Sequence, residues 1–351
     1  MRNLIIKASP LFVIALLCIG PPIANAESTL SNWTSPTTEI LFSASMVNAT
    51  DGWAVGWNGT IIRWNGTEWN TVASPTTNSL YSVFMISTTK GWAVGGSGKI
   101  IRWSGTLWNT VASPTTNSLY SLFMINASEG WAVGWNGAII RWNGTKWNTV
   151  TSPTTNPLES VFMTSASDGW AVGWDGTIIH WNGTVWMTVA SPTTNSLYSA
   201  FMVNATNGWA VGIDGTIIHW NGTEWNAVAS PTTNYLESVF MTSASDGWAV
   251  GGSGNIFHWN GTKWSNVTSP TTSWLLSISM VSADDGWAVG YDGVIIRWNG
   301  KGWVPEFPAI ILMPLLISLT LFASTLAKIV LKKREDQLPS KRTAQTTLEM
   351  W

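Results

Sequence analysis

Along most of this chain, short apolar bursts alternate with polar turns at a fixed rhythm, with no helical periodicity. In the copy from Ser79 to Asn117, Leu80-Tyr81-Ser82-Val83-Phe84-Met85 is rich in β-branched and aromatic residues and predicts a first strand. Ser87-Thr88-Thr89-Lys90-Gly91 turns the chain into a second short strand, Trp92-Ala93-Val94. Gly95-Gly96-Ser97-Gly98 is a tight glycine turn, and Ile100-Ile101-Arg102-Trp103 is the third strand. Ser104-Gly105-Thr106 turns again (Asn65-Gly66 in the copy before), and Trp108 to Ala112 is the fourth. Ser113-Pro114-Thr115-Thr116-Asn117 leads into the next copy.

The pattern returns seven times around the motif Gly-Trp-Ala-Val-Gly. Its tryptophans are Trp53, Trp92, Trp131, Trp170, Trp209, Trp248 and Trp287, each 39 residues from the next. Four short antiparallel strands per copy, repeated at that period, predict an all-β, seven-bladed β-propeller. A closed ring also explains why the strands read as nearly continuous apolar runs, since both faces of each blade pack on neighbours. Asn32 to Thr38 matches the end of a fourth strand and its loop, whereas Pro305 follows soon after Trp303-Val304. The amino-terminal segment is therefore expected to complete the last blade and hide its edge.

Composition narrows the picture. A chain of 351 residues would ordinarily hold two or three domains, but the repeat makes residues 27–304 one body. Only 10% of residues are charged and the net charge is −2, so the concentrated basic surface that nucleic acid requires is missing. The single cysteine, Cys18, lies outside the repeats, which can form no disulfide. Stability must come from packing, and the 27 tryptophans supply it. One buried aromatic removes about 150–250 Å² from water, worth roughly 4–6 kcal/mol.

The repeat Gly-Trp-Ala-Val-Gly-x-x-Gly-x-Ile-Ile-x-Trp, followed by a further tryptophan, resembles the photosystem II stability/assembly-factor-like propellers and their Asp-box (BNR) relatives over residues of about 40–303. The Asp-box itself is not intact: Trp64 stands where its Asp would be, five residues before Trp69, although Gly66 keeps the glycine. The resemblance implies the fold, and that family's partner is not carried over.

The termini predict location. Residues 1–26 read as a secretory signal: Arg2 and Lys7, an apolar core from Leu11 to Ile19, and Ala24-Asn25-Ala26 as cleavage site. Residues 305–331 hold a Pro-Glu-Phe-Pro motif and an apolar stretch, Ala309 to Leu331, long enough to span a bilayer. Lys332-Lys333-Arg334 follow, placing a basic tail, 332–351, in the cytoplasm and the repeats outside. The motif, span and basic cluster together resemble an archaeal PEF-type sorting signal. A single-pass cell-membrane protein with an extracellular repeat domain is expected. Because strand three of the last blade ends opposite the aromatic loops, those loops are expected to face away from the membrane.

Variation among the copies points to chemistry. The third strand carries Arg63, Arg102, Arg141, His180, His219, His258 and Arg297 at one position. Blades hold equivalent positions apart, so these read as strand-end caps or partners of nearby tryptophans rather than as a metal set. The turn between strands two and three varies more, with Trp57, Trp135, Trp174 and Tyr291 as aromatic tips. The start of strand one varies too, with Tyr81, Tyr120, Tyr198, Glu159 and Glu237. Both positions belong to one face, around the mouth of the channel. With the neighbouring Asn58, Asn136, Asp175, Asp214 and Asp292 they suit stacking on sugar rings or gripping a peptide. Filling of gaps between blades is the competing use of these aromatics.

Glu159 and Glu237 invite comparison with a glycosidase pair, but no arginine cluster, nucleophile elbow or metal set accompanies them. No catalytic residue, cofactor or metal site is assigned. Sequons at Asn48, Asn65, Asn126, Asn143, Asn182, Asn204, Asn221 and Asn260 fall on the opposite face or outer rim. Many are one hairpin turn copied along. The expected function is non-catalytic binding of an extracellular glycan or surface protein, the membrane being reached through the C-terminal helix. A glycosylated structural envelope component is the alternative, and a glycosidase- or lyase-type enzyme a more distant one.

Overall fold

The computed structural model describes residues 35–305. The segments expected to be a signal peptide, a membrane span and a basic tail lie outside the described residues. Among the described residues, no helix is long and apolar enough to cross a membrane.

Seven four-stranded sheets follow one another, each antiparallel and in simple up-and-down order. The first is β1 (Leu41–Asn48), β2 (Asp51–Gly56), β3 (Ile61–Trp64) and β4 (Trp69–Thr71), with a one-turn 3-10 segment, Trp57–Gly59, between β2 and β3. Chain direction sorts the connections onto two faces. The 3-10 turns and the blade-to-blade loops share one face; the hairpins after the first and third strands share the other.

Three features explain why this sequence closes. The glycines of the repeated motif make room for close contacts: a Cβ on Gly52 would stand 2.2 Å from Met46 Sδ, and one on Gly56 would stand 1.9 Å from the Ile40 carbonyl oxygen. Each seam between blades then fills with three tryptophans. Trp53 packs on Trp103 at 4.6 Å and edge-on to Trp108 at 5.3 Å, both from the next blade. Edge-to-face contact sets the positive rim of one indole on the negative face of another. The innermost strands add a hydrogen-bonded ring. The Val83 amide donates to Ser43 Oγ at 3.2 Å and Leu122 to Ser82 at 3.2 Å, and the series runs on around the ring. It ends with the Ala44 amide donating to Ser277 Oγ at 3.1 Å, which joins the last blade to the first. Trp287 against Trp64, at 5.8 Å, repeats the indole seam there. The array is a closed propeller.

The closure corrects one expectation. The fourth strand of the last blade is Trp303–Pro305, paired with the third as Trp298 to Trp303, Arg297 to Val304 and Ile296 to Pro305. It is as long as β4, so Pro305 does not cut it short, and the amino-terminal segment is not needed as a strand. What that segment supplies is a loop: the Thr37 carbonyl lies where a Cβ on Gly293 would be, as Thr76 does at Gly59. This strand also carries the chain back toward the face of the 3-10 turns. The chain thus leaves the last blade from its fourth strand and not its third, the strand from which the aromatic loops were expected to face away from the membrane.

Near the axis, Phe84, Phe123, Phe162, Phe201 and Phe240 form a ladder with centroids 4.7–4.9 Å apart. Equivalent positions of successive blades can meet so tightly only close to the axis. Ser45 and Ser279 hold the same position in the first and last blades and accept the Met85 and Met46 amides.

Candidate functional site

The face of the 3-10 turns gathers the predicted residues. Each turn tip is held by its N–H donating to the carbonyl one residue before the first strand, as Trp57 to Ile40 at 2.9 Å and Trp174 to Pro157 at 3.0 Å. The residue after the tip takes a left-handed conformation in every blade: Asn58, Ser97, Asn136, Asp175, Asp214, Ser253 and Asp292 have φ between 52° and 58°. Asn and Asp tolerate that region better than most residues. Their recurrence, read from the sequence as suited to a ligand, is explained by the backbone.

The tips themselves point outward. Trp57 and Trp135 are 45% exposed, Trp174 40% and Tyr291 41%. Trp135 and Trp174 meet edge-to-face at 5.8 Å, and the Trp174 indole N–H donates to Glu159 Oε1 at 2.6 Å. Beside them runs a chain of rings at the strand starts: Trp57 to Phe42 at 6.4 Å, Phe42 to Tyr81 at 5.2 Å and Tyr81 to Tyr120 at 5.5 Å. The two sequence-predicted positions thus form one surface.

Two aromatic residues escaped the sequence reading. Tyr198 packs on Tyr235 at 6.2 Å, Tyr235 on Trp274 at 5.6 Å, and Trp274 on Tyr291 at 6.0 Å. Tyr235 and Trp274 occupy the residue before the first strand, where other blades have Ile40, Ser79, Ser118, Pro157 and Ser196. Their signal in the sequence is the variation of that position among the copies, like that of its neighbour at the strand start. Trp274 packs over the glycine tip of the sixth blade, where a Cβ on Gly252 would meet its ring in ordinary contact at 3.4 Å. Next to it, Trp274, Tyr291, Asp292, Thr272 and Ser273 line a cavity of about 550 Å³.

Glu159 and Glu237 flank Tyr198 at the strand starts of three successive blades. Burial, and then the charge of Glu159, push Glu237 up to about 7. Burial raises Glu159 as well, opposed by its bond from Trp174. Tyr120 and Tyr198 are pushed up to about 12, by burial first and then by the nearby Glu159 and Glu237 charges respectively. The arrangement is a weakly acidic, aromatic-walled patch that takes up a proton near neutrality.

The third-strand basic positions lie elsewhere and behave as strand caps. Arg63 sits 5.0 Å over Trp53 and Arg297 4.6 Å over Trp287, while His180, His219 and His258 stack on Trp170, Trp209 and Trp248. Burial lowers the His219 pKa. What the sequence reading missed is their partner twelve residues earlier, such as Asp51 for Arg63 at 2.8 Å and Asp168 for His180 at 2.7 Å.

The eight predicted glycosylation asparagines are all exposed, on the hairpins of the other face. Their side chains shape those turns: Asn65 Oδ1 accepts the Thr67 and Glu68 amides, and Asn48 Oδ1 accepts the Thr50 amide.

No family model and no curated protein sequence matches the chain. Among solved structures it is similar to YCF48 bound to a D1 peptide, at 19% identity and a TM-score of 0.64 over 76% of this chain and 94% of that one. YCF48 from Cyanidioschyzon merolae matches at 20% identity and 0.64, over 78% and 100%. The WD40 repeats of RRP9 match at 12% identity and 0.62, over 74% and 92%. At such identities the likeness establishes the propeller fold, in keeping with the resemblance read from the repeat.

Proposed function

We propose that this propeller is a non-catalytic binding module that holds an extended segment of a protein partner across its aromatic face, outside the cell and tethered by its C-terminal span. One observation carries the reading: every large aromatic side chain exposed among the described residues, namely Trp57, Trp135, Trp174, Trp274 and Tyr291, lies on that single face. Rigid aromatics give much contact area for little lost entropy, which is why they anchor recognition surfaces. A propeller of this shape with a peptide bound, the YCF48 structure, gives the reading a precedent in kind.

A glycan is the second reading, favoured by the exposed Trp174 and Tyr291 beside Asp175 and Asp292, an arrangement suited to stacking on a sugar ring. The extracellular location rests on the two apolar termini of the sequence.

The test is a peptide array and a glycan array probed with the full chain and with Trp135→Ala/Trp174→Ala. The reading predicts selective peptide binding that the double variant loses. Selective glycan binding lost in the same variant would transfer the assignment to sugars. Equal, non-selective adhesion by both proteins would leave a structural envelope role in its place. Turnover of a bound glycan abolished by Glu159→Gln or Glu237→Gln would restore the enzyme.

A further inference from the structure

Six blades balance the basic group of the third strand with a side chain from the start of the second. Arg63 pairs with Asp51, Arg141 with Glu129, and Arg297 with Asp285. His180 and His258 pair with Asp168 and Asp246, and His219 bonds Asn207 at 2.9 Å. The second blade breaks the pattern. Its residue at the acidic position is Lys90, and the basic residue beside it is Arg102. Arg102 lies 5.1 Å over the Trp92 ring, and neither cation has a carboxylate partner among the described residues.

A cavity of about 450 Å³ opens at this point, lined by Lys90, Arg102, Trp103, Thr89 and Asn109. The adjoining hairpin is unusual as well: Ser104 stands where the other blades have Asn65, Asn143, Asn182, Asn221, Asn260 and Asn299. Ser104 Oγ keeps the turn, donating to the Leu107 carbonyl at 2.9 Å, but no sequon remains there to carry a glycan over the cavity. Charge reversal, a cavity and a hairpin without the usual asparagine coincide on one blade of seven.

We infer that this cavity is an oxyanion site, which takes a phosphate or sulfate group between the Lys90 ammonium and the Arg102 guanidinium. Like charges on neighbouring strands repel, and an anion between them converts that repulsion into two charge-assisted interactions. The guanidinium fork matches two oxygens of a tetrahedral anion, and the ammonium supplies a compact third donor. Asn109 Nδ2 donates one hydrogen to the Leu107 carbonyl at 3.3 Å and has a second to offer. The site lies on the face opposite the aromatic surface and does not depend on what that surface binds.

Lys90→Asp is the informative variant, because it rebuilds the pair seen in the first blade and so keeps the fold; Lys90→Gln removes the charge alone. Calorimetric titration of the full chain with inorganic phosphate, and co-sedimentation with phosphatidylglycerol vesicles counted in excess of that with phosphatidylcholine vesicles, which the apolar span alone would bind, separate a free anion from a lipid phosphate. Saturable phosphate binding, weakened at least about tenfold in Lys90→Asp and less in Lys90→Gln, supports a free-anion site. Vesicle binding without free-phosphate binding, with the same order of variants, supports a lipid headgroup. No binding of either probe, or binding that Lys90→Asp leaves unchanged, overturns the inference.

Discussion

Trp131 and Trp135 stand four residues apart in one blade and have opposite surroundings. Trp131 is fully buried in a seam, 4.8 Å from Trp181 and 5.4 Å from Trp186. Trp135 is 45% exposed on a turn tip and touches Trp174. The seam tryptophan recurs in all seven blades, whereas the tip is Trp, Gly, Ile or Tyr according to the blade. Sameness across copies marks what the ring needs in order to close. Variation marks positions released from that demand, and there recognition chemistry has room to develop.

The largest expected effect falls on the seam. Trp131→Ala should cost about 3–5 kcal/mol, as deletion of a buried indole generally does, read as a lowered midpoint in denaturant melts. Trp135→Ala should stay within about 0.5 kcal/mol of the wild type in the same melts. Similar losses in the two variants would erase the distinction between seam and tip.

Acid should stabilise the tip face. The Glu237 carboxyl is raised to about 7 in the folded chain from an ordinary 4.5, so the native state holds a proton that the unfolded state releases. That contribution is fully present below about 4.5 and is lost as the pH rises through about 7, up to about 3 kcal/mol in all. Melting midpoints should therefore fall between pH 5 and pH 8, and Glu237→Gln should flatten the slope and be the more stable protein at pH 8. A slope untouched by that substitution would place the titration elsewhere.

A smaller effect is expected from the inner ring. Ser121→Ala removes the acceptor of the Val161 amide, 3.2 Å away, and should cost about 1–2 kcal/mol in the same melts. The smallest concerns the left-handed position beside the tip: Asp175→Gly should be nearly neutral, whereas Asp175→Val should cost about 1–2 kcal/mol. A neutral valine there would mean that the turn can relax, and that the recurrence of Asn and Asp has a cause other than the backbone.

These contrasts show why the fold was legible and the site only partly so. Seven copies of Gly-Trp-Ala-Val-Gly state the blade, its strands and their number, because every copy solves the same packing problem. The aromatic tips were legible for the converse reason: Trp57, Trp135, Trp174 and Tyr291 stand out against a constant background. Tyr235 and Trp274 were overlooked because they sit just outside the strand, where three of the seven blades have serine. Asp175 and Asp292 were read as ligand chemistry because a left-handed φ leaves no trace in sequence except a preference for such residues. The pairing of Asp51 with Arg63 was hidden too, since twelve residues of separation become hydrogen-bond distance only after two strands register. The expected role of the amino-terminal segment failed at Pro305, read as cutting the fourth strand short after Trp303-Val304: the strand includes that proline as its third residue, and three is what β4 also uses.

Oxidative footprinting in cells producing the full chain, compared with the purified protein, tests the central claim most directly. The account predicts that Trp135 and Trp174 are protected in cells relative to the purified chain, while the exposed Met187 and Leu107 of the opposite rim are oxidised equally in both. Equal oxidation of the two tryptophans in both settings would contradict it.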